Sequence, residues 1–216
     1  MRVIDLTRPF SRENDFPWEV KTTLLPLSSD QTAYTGVIHE LKCSSMCGSY
    51  LDVPGHIRET ADGTDAANCP PERFWRLEAR VAHLKRLATP GAVTADELAT
   101  AFGKAPNVPC LVVNALEDKD VWEMGGEGEE VWRQTWLDAS AVDWIIASGC
   151  RLLVSDIYES PRLEGVFLRL FAAGISTVCM PKGLARLGGA ARISVTFLSV
   201  EGMVQMPCRI IAEEED

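Results

Sequence analysis

Three observations in the sequence predict an α/β fold, a mixed sheet with flanking helices. Pro109-Cys110-Leu111-Val112-Val113-Asn114 is a short unbroken apolar run, the pattern of a strand buried on both faces. Thr94 with Glu97 three residues on, and Asp138 ahead of an apolar-periodic stretch, are helix starts. Ile193 to Val200 alternates apolar and polar residues, as a strand with one buried face does.

Taken in order, Val3 to Thr7 reads as a first strand, and Arg8-Pro9-Phe10-Ser11 turns out of it. Phe16-Pro17-Trp18 reads as loop, and Lys21 to Pro26 as a second strand. Val37 to Cys43 alternates and reads as a third. Ile57 to Asn68 is polar and rich in Gly, Asp and Thr, hence loop, and Cys69 to Trp75 is a break into a short helix or turn. Leu77 to Leu84 reads as a strand. The helix begun at Thr94 should end at Ala105-Pro106. Glu117 to Trp132 is acidic and glycine-containing, a long loop or lid. A helix over Ala139–Ala147 should close at Ser148-Gly149, followed by a strand over Arg151–Asp156. Phe167 to Ala173 fits a helix ending at Gly174, and Ile175 to Cys179 a strand. Gly183 to Leu187 reads as loop or short helix, and Cys208 to Ala212 as a closing edge strand. There is no internal repeat and no linker, so residues 1–216 read as one domain.

Composition narrows the function. Hydrophobic residues make up 46% and charged residues 24%, ordinary for a soluble globular chain. The net charge of −10 argues against nucleic acid or an anionic membrane surface as partner. No run approaches the ~20 apolar residues of a membrane helix, and no signal peptide opens the chain, so a cytoplasmic location is expected. The seven Cys lie in apolar surroundings and are expected as buried thiols.

The chain is organised around Met46-Cys47-Gly48-Ser49-Tyr50-Leu51-Asp52-Val53-Pro54-Gly55-His56. If extended backbone continues from the third strand through Asp52, period two places Met46, Gly48, Tyr50 and Asp52 on one face. Pro54 ends the strand near Val53, and Gly55 turns the chain so that His56 returns beside Asp52. A carboxylate next to an imidazole sets the ring's tautomer and raises its basicity, which suits a general base or a metal ligand.

This stretch resembles the signature of the cyclase family of metal-dependent hydrolases, which includes bacterial kynurenine formamidase. Against the family pattern His-x-Gly-Thr-His-x-Asp-x-Pro-x-His, Gly48, Asp52, Pro54 and His56 match, and Ser49 is close to the Thr. The opening Asp5-Leu6-Thr7, Ser155-Asp156, Ala173-Gly174-Ile175 and Gly183 to Leu187 extend the resemblance over nearly the whole chain. It implies a swivelling β/β/α fold with a mixed sheet core, assembled as a homodimer or homotetramer, acting on a small molecule.

The resemblance also implies one or two divalent ions, zinc or manganese, bound by His, Asp and Glu side chains. Here Met46 and Tyr50 occupy the two earlier His positions, Phe167 falls near the downstream His, and Cys179 or Lys182 near the Glu. A thioether and a protonated phenol are poor ligands for such ions. No cofactor is therefore expected. A zinc or manganese ion, if bound, would need Asp52, His56, Cys47 and Cys179. His39 and His83 read as ordinary strand residues. The favoured reading is an enzyme working by acid–base chemistry in cyclisation, dehydration or amide or lactone hydrolysis. His56 is its base, Asp52 the orienter, and Tyr50 a proton donor, with Trp18, Met46, Ser49 and Phe167 against substrate. The alternatives are a formamidase-like hydrolase with rearranged metal ligands and a non-catalytic homologue that binds a ligand or partner.

Overall fold

The computed structural model describes residues 1–11, 16–103, 106–119 and 134–215. Its strands are β1 (Arg2–Asp5), β2 (Trp18–Ser28), β3 (Ala33–Cys43), β4 (Tyr50–Asp52), β5 (Leu77–His83), β6 (Gly91–Val93), β7 (Cys110–Asn114), β8 (Thr135–Leu137), β9 (Leu152–Ser155), β10 (Ser176–Cys179), β11 (Ala190–Phe197) and β12 (Gln205–Glu214). Its helices are α1 (Ala95–Phe102), α2 (Ala139–Ala147) and α3 (Val166–Ala172).

The main sheet runs β1-β12-β11-β5-β7-β9-β10-β4, and β4 pairs again with β12. The sheet therefore closes on itself, leaving β1 as an outer edge. The β5–β7, β7–β9 and β9–β10 pairs are parallel and the remaining ladders antiparallel. Strand alternation divides the core in two. Leu51, Val112, Val154, Val178, Ile193 and Ile210 fill the space the closed sheet encloses. Leu111, Val113 and Leu153 point outward and pack under Leu98, Val142, Ile145 and Leu170 of the three helices. β7 is buried along its whole length, as its unbroken apolar run predicts.

The helix caps are where the sequence places them. Thr94 accepts from the Glu97 amide (3.4 Å) and Asp138 Oδ1 from the Ala141 amide (2.8 Å). Helix α1 stops earlier than expected, at Gly103 with φ +80°, because a glycine in that conformation ends the helix ahead of Pro106. Of the stretch 117–132, expected as loop or lid, all but 117–119 lies outside the described residues, as does Ala105. β12 is not an edge strand: it lies between β1 and β11 and also takes β4, and its alternating Met206, Cys208, Ile210 and Ala212 face the enclosed core.

β2 and β3 form a separate antiparallel ribbon, from Trp18↔Cys43 to Ser28↔Ala33, that pairs with no other described strand. The strand containing Val37–Cys43 ends at Cys43 and does not run on to Asp52. Residues 44–49 turn, and Gly48 sits at φ +64°. A Cβ there would lie 2.7 Å from the Arg8 carbonyl and 2.9 Å from the Phe10 ring, so the position needs glycine for its backbone angle and for space.

Candidate functional site

Three residues of β4 are held from both sides. Asp52 lies across from Thr177 of β10 and Gln205 of β12, and Tyr50 from Cys179 and Pro207. Leu51, between them, faces the enclosed core opposite Val178 and Met206. Period two thus puts Tyr50 and Asp52 together on the outer face of the sheet, under α3. The Val53 amide bonds the Val204 carbonyl (3.1 Å), and then Pro54-Gly55-His56 forms a 3-10 turn closed by His56 N–H to Val53 O (2.9 Å). Gly55 does not use left-handed backbone. It packs closely, since a Cβ would lie 3.0 Å from Val204 Cγ1 and oblige that side chain to shift.

These elements wall a cavity of about 470 Å³. Tyr50, Asp52, His56 and Gln205 contribute its polar groups, Met46, Phe167, Leu163 and Leu168 much of its apolar wall, and Glu59 and Glu159 two further carboxylates. Among the described residues, no Lys or Arg lines it. Phe167 stacks on Tyr158 at 5.0 Å and leans on Phe171 at 5.8 Å, so one wall is aromatic. Tyr158 anchors that wall by donating its hydroxyl to the carbonyls of Val178 (2.8 Å) and Leu153 (2.9 Å). Glu159 is held by the amides of Ser160, Glu164 and Val166, which pins the approach to α3.

Asp52 is only 2% exposed. Thr177 Oγ1 (3.4 Å) and Cys179 Sγ (3.6 Å) donate to its Oδ2, whereas Oδ1 accepts no hydrogen bond. Burial raises its carboxyl to about 6, while the charge of His56 and the polar groups of Gln205, Cys179 and Thr177 pull it down. Tyr50 is pushed upward by burial, then by the Cys179 and Asp52 charges, so its phenol stays protonated. Burial, followed by the Asp52 charge, also drives the Cys179 thiol well up, so it is neither thiolate nor nucleophile.

His56 is joined to Gln205 and not directly to Asp52: the two Nε2 atoms are 3.3 Å apart. Ser45 Oγ donates to Gln205 Oε1 (2.6 Å), which orients the amide so that its NH2 donates to the imidazole. In the neutral ring this assigns the His56 proton to Nδ1. The ring stands edge-on to Phe171 at 6.2 Å.

The other sequence-selected residues are spread more widely. Met46 and Phe167 line the cavity; Trp18 and Ser49 do not. Trp18 Nε1 donates to the Ser11 carbonyl (3.2 Å), and its ring lies 6.0 Å from Phe10. Ser49 works behind the wall: its Oγ accepts from the Arg8 amide (2.8 Å) and donates to Met180 O (2.7 Å), tying β4 to the exits of β1 and β10. Cys47 is directed at the carbonyl of Phe16 (3.5 Å). Cys179 faces Asp52, whereas Lys182 is exposed and its amide bonds Leu6 O. His83 bonds Leu187 O and Asn114, and His39 bonds Thr22 on the ribbon. Sequence reasoning passed over Gln205, Thr177 and Glu159. Only the strand register brings the first two to Asp52, and no local motif marks them.

The donor set does not suit a divalent ion of the zinc or manganese kind. Asp52 and His56 offer one carboxylate and one imidazole already engaged by Gln205, beside a thioether and a phenol, while Glu159 on the same cavity is taken up by three backbone amides. Among the described residues, no three His, Cys, Asp or Glu side chains converge as a metal set.

Solved structures share this architecture. Isatin hydrolase A from Ralstonia solanacearum superposes with a TM-score of 0.77 at 18% identity, over 99% of this chain and 92% of that one. Isatin hydrolase A from Labrenzia aggregata, bound to benzyl benzoate, gives 0.76 at 15% identity, over 98% and 93%. A predicted metal-dependent hydrolase from Bacillus stearothermophilus gives 0.71 at 13%, over 98% and 97%. At such identities the likeness establishes the fold, a mixed α/β sheet core with flanking helices. No curated protein matches the sequence. The family model described as putative cyclase matches residues 4–160, and the chain belongs to that family.

Proposed function

We propose that this protein is an enzyme of the cyclase family that binds a small, largely apolar and uncharged or weakly polar substrate in the cavity under α3. Its chemistry is proton transfer by Asp52 with His56, in a cyclisation, a dehydration or the opening of a lactone or cyclic amide. One observation carries the reading. Asp52 is a buried carboxyl raised to about 6, with one oxygen free of hydrogen bonds, in a cavity wall that is otherwise mostly apolar. A group titrating near neutrality can take a proton and return it within one cycle. Tyr50, kept protonated by burial, serves as an O–H donor to a developing oxyanion. Gln205 holds the His56 tautomer.

The substrate class follows from the walls. With carboxylates and, among the described residues, no Lys or Arg in the lining, an anionic substrate is disfavoured. The Phe167–Tyr158 stack suits a flat ring, and the names of the isatin hydrolase neighbours point to a bicyclic aromatic lactam as the first compound to try. A formamidase-like, metal-dependent hydrolysis is the second reading, favoured by the name of the Bacillus stearothermophilus neighbour, among others.

The experiment is activity against aryl lactones, cyclic imides and formamides, combined with elemental analysis of protein expressed with zinc and manganese supplied. Activity that resists chelators, rises with pH through about 6 and falls ~10²–10⁴-fold in Asp52→Asn and His56→Ala supports the proposal. Near-stoichiometric metal whose removal abolishes activity overturns it in favour of the metal-dependent reading. Ligand binding without turnover, unchanged in both variants, would leave a binding protein.

A further inference from the structure

The turn from Glu159 into α3 holds out a leucine whose placement the protein's own packing does not explain. Leu163 is 80% exposed, more than any other large apolar side chain among the described residues. It also sits at φ +56°, in the left-handed region that a bulky residue rarely adopts. Both features cost free energy, and a side chain left in water buries almost nothing that could offset them.

The conformation is imposed by the rest of the turn. Glu159 Oε1 accepts from the amides of Ser160 (3.1 Å) and Glu164 (2.8 Å), and Oε2 from that of Val166 (2.8 Å). One carboxylate thus ties together both ends of the segment. Inside it the Leu163 amide donates to the Ser160 carbonyl (3.0 Å) and the Arg162 amide to the Ser160 hydroxyl (3.2 Å). Gly165 adds a second left-handed residue at φ +84°. So many ties over-determine the turn, and Leu163 cannot relax to an ordinary backbone angle. Backbone kept strained in this way is found at ligand clamps.

What Leu163 is held against is the cavity under α3. It lines that cavity with Leu168, itself 44% exposed, and with Phe167, whose ring stacks on Tyr158. The two leucines therefore form an apolar rim, open to water, whose surface continues into the apolar wall. Exposed apolar surface continuous with a cavity is where a ligand completes the packing. Glu159 stands at the same rim, but three amides already meet its charge, so it does not call for a cation.

We propose that Leu163 is a specificity-determining residue of this cavity, a preformed clamp that covers a neutral flat ring lying against Phe167. The inference rests on the cavity under α3 being the substrate site. It adds a requirement to that reading: the substrate presents an apolar ring edge at the mouth, and polar or charged groups there are rejected.

Calorimetric titration of the full chain with isatin, phthalide and phthalimide tests this, in the Asp52→Asn background so that turnover does not consume the probe. Leu163→Asn puts a residue that tolerates left-handed backbone in place of the leucine and removes only the apolar side chain. Its thermal midpoint without probe should equal or exceed that of the parent. Its affinity for the rings should fall roughly 10- to 100-fold, the change expected when a leucine-sized apolar surface is no longer buried. Phe167→Leu, elsewhere on the cavity wall, reports whether the rings sit in the cavity at all. Weaker binding in both variants supports the clamp. Binding weakened by Phe167→Leu and unchanged by Leu163→Asn overturns the clamp while leaving the cavity as the site. So does a Leu163→Asn protein that melts lower than its parent, because the leucine would then be packing the fold. Binding indifferent to both substitutions, or no binding of any ring, removes the cavity reading and the clamp with it.

Discussion

β7 and β3 both carry many apolar residues, yet one is buried at every position and the other is among the most open of the described strands. Every residue of β7 is buried, because parallel neighbours occupy both edges and both faces carry hydrophobic clusters. β3 has a single partner, carries Val37 and Leu41 on one face and Tyr34 and Ile38 on the other, and most of its residues are exposed. An unbroken apolar run announces burial on both faces, but apolar content by itself does not say that a covering layer will be present. In β7 that covering comes from the same chain. In β3 no other described strand supplies it.

The contrast can be broken or sharpened experimentally. The largest stability effect is expected in β7, where Leu111→Ala should cost about 2–5 kcal/mol in denaturant unfolding, because the outer core cannot collapse onto the space left. A loss below 1 kcal/mol would mean that the outer layer is loosely packed. Next comes the site strand. Asp52 has its folded-state carboxyl raised to about 6 from an ordinary 3.8. Its ionisation therefore costs stability: the contribution is intact below pH 4 and is lost as pH climbs through 6. Asp52→Asn removes that dependence and should match wild type at pH 4, while exceeding it by up to about 3 kcal/mol at pH 8. Parallel pH profiles for the two proteins would sink the account of a strained buried carboxyl. Thr94→Ala, which removes the α1 cap, should cost about 1 kcal/mol by thermal unfolding. The smallest effect belongs to the ribbon. In dilute, monomeric protein Leu24→Ala should shift stability by less than about 0.5 kcal/mol, since its side chain is already in water.

Much of the fold is legible because local physics and tertiary packing agree. Thr94 and Asp138 cap helices because their side chains satisfy amides a few residues away, a purely local matter. Gly174, just past α3, takes a positive φ for an equally local reason. Misreadings fall where the outcome depends on distant chain. β12 reads as an edge from its position near the end of the sequence, yet it sits inside the sheet. By period two Val37–Cys43 reads as running on into Asp52, yet residues 44–49 turn between them, with Gly48 at positive φ packed against Arg8 and Phe10. At the site, Asp52, Tyr50 and His56 stand out in the sequence through their spacing. Gln205, which holds His56, is 149 residues away in sequence and is found only through strand register.

By itself, then, the sequence determined the α/β class, most strand and helix positions, the family framework of Gly48, Asp52, Pro54 and His56, and the replacement of its two earlier histidines by Met46 and Tyr50. These follow from period, capping and backbone chemistry, which act over a few residues. Tertiary structure alone decided that β4 closes the sheet, that Asp52 keeps one oxygen unpaired beside Thr177 and Cys179, and that His56 pairs with Gln205. Each depends on which distant strands share a ladder, and their register is set by burying two apolar layers at once.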